Sequence, residues 1–134
     1  MKLTTCLPLF PFVLLLACHT AQKAQTPPPF VTWAKKHIDL GAVKKGEKRS
    51  MVFDFTNTSG EKIQIDIVDA CDCTKVDFPR GPIEPGQKAQ LNVTFDSTEK
   101  DASETISINV IFKNTHPNGV PYIEIVEYQF DLVK

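Results

Sequence analysis

Cys71 and Cys73 are the residues of this chain whose type and spacing are best suited to chemistry. On an extended strand residues i and i+2 point to the same side, so both sulfurs can face one ligand or each other. Two thiolates suit Cu(I) or Zn(II). A closed zinc site needs four ligands, however, and no second cysteine or histidine pair stands at suitable spacing. His37 and His116 are isolated in the sequence, and Met51 is in phase with phenylalanines of its own segment. No metal is therefore expected, and Cys71 and Cys73 are its only weak candidates. The other chemistry open to them is redox. In an oxidising compartment the pair can close a disulfide, and the very small ring it closes departs from preferred geometry, which makes a bridge easier to reduce. Dedicated exchange catalysts instead carry Cys-x-x-Cys at a helix N-terminus, a setting that lowers the thiol pKa. That setting is missing, so the preferred reading is structural, a pair packed at the end of the Ile63–Ile67 segment or a local staple. Asp69, Asp72 and Asp77 surround the pair, yet they lack the ordered loop of oxygen ligands that calcium sites use and read as solvated charges.

Other constellations fail sooner. No Ser/His/Asp set stands on a nucleophile-elbow sequence, and there is no glycine-rich phosphate loop. Asn57-Thr58-Ser59 and Asn92-Val93-Thr94 match the N-glycosylation pattern, and Asp96-Ser97-Thr98 resembles an O-glycosylation site of some Gram-negative envelopes; a polar turn closing a strand is the plainer reading of the last. The 134 residues carry a formal charge of −1, with 42% hydrophobic and 23% charged residues, which allows one ordinary domain and argues against a nucleic-acid binder. No basic stripe with interleaved aromatics supports counterion-release binding. Neither an enzymatic activity nor a small-molecule substrate is expected.

The two remaining cysteines, Cys6 and Cys18, lie in a different context. Lys2 is followed by an apolar run to Cys18 that Pro8 and Pro11 interrupt. The run is too short and broken for a bilayer-spanning helix but fits a secretory signal. Its end, Leu15-Leu16-Ala17-Cys18, resembles the lipobox of bacterial lipoproteins, in which cleavage after the small residue leaves the cysteine as an N-terminus bearing diacylglycerol. That reading gives a signal peptide over residues 1–17, cleavage between Ala17 and Cys18, and a membrane anchor through acyl chains on Cys18, the only cofactor-like group expected. An ordinary secretory peptide cleaved elsewhere, or an uncleaved anchor, is the competing reading. Cys6 is discarded with the signal. Residues 18–30 form the lipidated N-terminus and a tether ending in Thr26-Pro27-Pro28-Pro29, stiff because proline fixes its backbone. Its 11 residues from His19 to Pro29 reach up to about 35 Å when extended, at roughly 3.3 Å per residue. No acidic run follows Cys18, which favours the periplasmic face of the outer membrane.

The elements that position Cys71 and Cys73 are strands. Met51, Phe53 and Phe55 share one face against Ser50, Asp54 and Thr56, the alternation of a half-buried strand. Ile63, Ile65 and Ile67 repeat it, as do Leu91, Val93 and Phe95, and then Ile106, Ile108, Val110 and Phe112. Gly, Pro and Asn punctuate these runs with turn chemistry, as in Lys45-Gly46-Glu47 and Pro82-Ile83-Glu84-Pro85-Gly86. From Val120 to Val133, Tyr122, Glu124, Val126, Tyr128, Phe130 and Leu132 share one phase while Ile123 and Ile125 occupy the other. This predicts a bulge, or a strand that changes sheets, near Glu124–Val126. About seven short strands and no helical period predict an all-β fold over residues 31–134, a single antiparallel immunoglobulin-like β-sandwich with Trp33 and the phenylalanines in its core. A small barrel is the competing architecture.

The order of motifs carries a resemblance. Ile38-Asp39-Leu40-Gly41, Val43 and Gly46-Glu47 lead into Phe53-x-Phe55-x-Asn57-Thr58, then Ala70-Cys71-x-Cys73-Thr74, Ile83-x-Pro85-Gly86, and Val93-x-Phe95-Asp96-Ser97. Over roughly residues 37–113 the chain resembles the domain of unknown function 1573 family, bacterial envelope proteins and lipoproteins with an immunoglobulin-like fold related to the Hydin, ASPM and major-sperm-protein modules. It departs from that pattern at Asp72, where many relatives have glycine, and in a longer hairpin from Asn114 to Lys134. The resemblance implies fold and compartment and supplies no reaction. The expectation is a lipid-anchored, non-enzymatic envelope protein that binds or braces another envelope protein. The alternative is a periplasmic thiol-redox or Cu(I)-handling protein using Cys71 and Cys73.

Overall fold

The computed structural model describes residues 22–24 and 26–134. The expected signal segment 1–17, with its expected cleavage after Ala17, and the expected lipid acceptor Cys18 lie outside the described residues. From Val31 the chain runs through eight strands: β1 Val31–Trp33, β2 His37–Lys44, β3 Lys48–Asn57, β4 Ile65–Asp69, β5 Thr74–Asp77, β6 Lys88–Asp96, β7 Glu104–Thr115 and β8 Pro121–Val133. They form two four-stranded sheets, β1-β3-β6-β5 and β2-β8-β7-β4, packed as a β-sandwich. Among the described residues no helix is long and apolar enough to cross a membrane.

Alternation builds both layers. β3 and β6 pair along nine positions from Lys48↔Asp96 to Thr56↔Lys88, and every second residue turns inward. Phe53, Phe55, Leu91 and Phe95 thereby meet Ile108, Val110, Phe112 and Phe130 of the opposite sheet, all at most 2% exposed. Removing each such side chain from water contributes about 1.5–3 kcal/mol. Where connections are tightest, glycine supplies a left-handed backbone: Gly46 at φ 91° between β2 and β3, and Gly86 at φ 78° before β6.

Among the described residues two polar side chains, Asn57 and Ser97, are buried in the core's margin, and both are hydrogen-bonded. Asn57 Nδ2 donates to Glu61 O at 2.7 Å and Ile83 O at 3.0 Å, while its Oδ1 accepts from the Ser59 amide and hydroxyl. Ser97 Oγ shares its one proton between the carbonyls of Lys44 and Glu47, at 2.9 and 2.7 Å. Both are at most 1% exposed, so these two atoms clamp turns and are closed to glycosylation.

Three sequence expectations are corrected. Ile67 does not continue the inward face of Ile63 and Ile65, because the register of β4 on β7 shifts between Ile65 and Ile67 and turns Ile67 outward. β8 has no bulge at Glu124–Val126: it pairs with β7 without interruption from Phe130 to Ile123, leaving Ile123 and Ile125 on the outer face. The element that changes sheets is at the other end of the chain. β1 pairs antiparallel with β3, and after Trp33 the chain crosses to lay β2 parallel to β8, the one parallel pairing among the described residues. Trp33, Phe30 and Phe78 are only partly buried, packed against the core rather than within it.

Candidate functional site

Cys71 and Cys73 lie on a turn, not on a strand. The chain reverses between β4 and β5, closed by the Thr74 amide donating to Cys71 O at 2.9 Å, and the Asp96 amide ties the turn to β6 by donating to Cys73 O at 2.9 Å. The two sulfurs are joined as a disulfide with Cα atoms 5.2 Å apart. Both residues are half-buried and pack against the core. In this state each sulfur is bonded to the other, so neither presents a thiolate to a metal. Among the described residues no three His, Cys, Asp or Glu side chains are grouped to hold a metal ion. His37 opens β2 beside Glu127, and His116 stacks on Tyr122 in the β7–β8 hairpin.

A relay of two hydroxyls that sequence reasoning missed backs the disulfide, the first touching the sulfurs and the second touching the first. Thr74 Oγ1 is 3.2 Å from Cys71 Sγ and 3.4 Å from Cys73 Sγ, and on its other side it meets Tyr128 OH at 2.6 Å. Thr74 belongs to one sheet and Tyr128 to the other, so this contact crosses the interior. Tyr128 is fully buried against Phe95. Burial raises its phenol pKa above the ordinary value; the Thr74 hydrogen bond opposes the shift and the charge of Glu104 adds to it. Outside, Cys73 lines a shallow cavity of about 250 Å³ with Asp72, Asp96, Thr98 and Glu99. The alternation of β8 places Tyr128 inward from sequence, but nothing in the sequence aligns it with a residue 54 positions away.

A second feature lies at the edge of β8. The Glu127 amide donates to Lys36 O at 2.8 Å, so the odd residues of this stretch turn their main-chain groups away from β7. β2 begins only at His37, opposite Glu127. Among the described residues the N–H and C=O groups of Ile123 and Ile125 therefore have no main-chain partner on that side. The side chains of these two isoleucines are 54% and 50% exposed. Ile67, Ile111 and Ile123 stand in register across β4, β7 and β8, making an apolar row that ends at this edge. Its inner flank is finished: Phe30 stacks on Tyr122 at 3.9 Å, and Glu124 accepts from Trp33 Nε1 at 3.4 Å and Lys36 Nζ at 3.2 Å.

The other edges are blunted, as soluble sheets require. β1 has three residues and β5 four. The ladders of β2 and β4 are broken by register shifts, between Asp39 and Ala42 and between Ile65 and Ile67.

The model of a family described as "Protein of unknown function (DUF1573)" matches residues 31–125. No curated protein matches the chain. Among solved structures, the VesB protease of Vibrio cholerae is similar at 16% identity and a TM-score of 0.61, over 76% of this chain and 32% of the protease. A Porphyromonas gingivalis W83 protein of unknown function is similar at 17% identity and a TM-score of 0.62, over 81% of this chain and 50% of its own. The chain thus spans about a third and a half of those two proteins. The human CEP192 ASH/PapD-like domain 7 is similar end to end, at 8% identity, a TM-score of 0.64, and 100% and 99% coverage. At these identities the likeness is one of fold, an immunoglobulin-like β-sandwich.

Proposed function

This chain belongs to the DUF1573 family, and from that premise we propose that it is a non-enzymatic binding module of the bacterial envelope, engaging an extended strand of another envelope protein along the open edge of β8. The carrying observation is that, among the described residues, the main chains of Ile123 and Ile125 have no partner on the open side of an otherwise blunted sandwich. Such an edge is satisfied by a strand, which supplies acceptors and donors at matching spacing. The apolar row ending at Ile123 asks that strand to present apolar side chains on its outer face. A second copy of this chain fits less well. Pairing two β8 edges through Ile123 and Ile125 sets Glu124 opposite its own copy, and like charges directly opposed destabilise a sheet.

The lipobox-like Leu15-Leu16-Ala17-Cys18 supports an acyl anchor on Cys18, and the residues of the tether 18–30 give the domain reach from the outer membrane into the periplasm. Crosslinked co-purification of the full chain from solubilised membranes tests the reading. It predicts one stoichiometric envelope protein; recovery of the chain alone counts against it.

A further inference from the structure

We infer that Cys71–Cys73 is a redox-active disulfide, reduced by a dithiol, with Thr74 as the positioning residue that stabilises the Cys71 thiolate and Tyr128 as the group that orients Thr74.

The direction of the hydroxyl relay follows from burial. Tyr128 OH meets only Thr74 among the described residues. Were the phenol to accept from Thr74, its own proton would be left without a partner in the interior, at the cost of an unsatisfied buried donor. Tyr128 therefore donates to Thr74 Oγ1, and the Thr74 proton is left to point at the sulfurs 3.2 and 3.4 Å away. A disulfide sulfur is a weak acceptor. A thiolate in the same place is a strong, charge-assisted one. The relay thus favours the reduced pair over the bridge.

The two sulfurs differ. Cys73 borders the open cavity with Asp72, Asp96 and Glu99, whose carboxylates disfavour a thiolate there. Cys71 is nearer the Thr74 hydroxyl and is the better leaving group. One thiolate of the reductant attacks Cys73 Sγ; the Cys71–Cys73 bond breaks, and its electron pair leaves on Cys71 as thiolate beside Thr74. The reductant's second thiolate then attacks its own sulfur in the mixed disulfide. It closes the reductant's disulfide and releases Cys73 as thiolate. Two electrons pass from the dithiol to the pair, and the dithiol's two protons go to solvent or to the new thiolates. The acidic cavity repels an anionic thiol such as glutathione and admits a neutral dithiol or one framed by basic residues.

The test equilibrates the full chain with reduced and oxidised dithiothreitol, traps it by alkylation, and reads Cys71 and Cys73 by peptide mass so that Cys6 and Cys18 do not interfere. Thr74→Val lowers the equilibrium constant for reduction about tenfold, which is about 30 mV for a two-electron couple, and Thr74→Ser restores it. Thr74→Val also moves the pH midpoint of Cys71 alkylation upward. Tyr128→Phe shifts both readouts the same way by a smaller factor. The inference is overturned if Thr74→Val equals the native chain in both readouts, if Thr74→Ser behaves as valine does, or if the pair stays oxidised at every dithiothreitol ratio in the folded protein.

Discussion

Ile125 offers its amide to nothing within the described fold, which makes it a place where proline is tolerated. Replacing it removes a donor on the open side of β8 and spares the β7 ladder, because proline is accommodated at sheet edges whose N–H faces outward. Ile125→Pro is expected to lower partner recovery at least tenfold with thermal stability within a few degrees of native, while Glu124→Pro, whose amide faces β7, unfolds or strongly destabilises the domain. Asn57 is the opposite case. Asn57→Ala takes one of two donors from each of the Glu61 and Ile83 carbonyls, which keep the Ser59 hydroxyl and the Ile63 amide, and leaves the Ser59 amide without its partner. The loss is about 3 kcal/mol, or a fall in melting temperature of roughly 10–20 °C by calorimetry. The sequence shows Asn57 as a turn residue; that its amide braces three neighbours depends on Ile83, brought from 26 positions away by folding.

At the scale of elements, the alternating runs were legible because one wet face and one dry face leave a period of two in the sequence. The misreadings came where that period was locally broken. Ile67 is in phase with Ile63 and Ile65, and only the shift of β4 on β7 puts it outside. Ile123 and Ile125 are out of phase with the inward residues of β8, which sequence alone explains by a bulge; the strand is continuous, and the isoleucines mark an apolar outer face instead. The disulfide turn is legible as a cysteine pair, but the Thr74 hydroxyl beside it is backed by Tyr128 of the other sheet. Turns also set the acid response. Hydrogen bonds from Arg49 and from the Lys44 amide hold the Glu47 carboxyl below the usual range, and the Thr98 hydroxyl and amide do the same for Asp96. A depressed folded-state pKa stabilises above the unfolded value and is lost as pH falls through the folded one. Stability is therefore fully present above about pH 5 and declines below about pH 4. Thermal melts across that window should show the decline, and Glu47→Gln should flatten it; an unchanged profile in the variant refutes the assignment.

For the whole molecule, the proposal is a sandwich with one open edge held on an acyl anchor at Cys18. Cys18→Ala removes the acyl acceptor, so the chain should lose its lipid mass and leave the membrane fraction for the soluble one, as fractionation with mass spectrometry can read. Continued membrane residence without lipid would point to the uncleaved apolar segment as the anchor. The central claim is that β8 receives another protein's strand. Its most direct test is a photo-crosslinking residue placed in cells at position 125, with position 52 as the control, since Val52 is comparably exposed at 44% but lies on the opposite sheet. Strand addition at β8 predicts one dominant adduct from position 125 and none from position 52. No adduct at 125, or equal adducts at both, would contradict it.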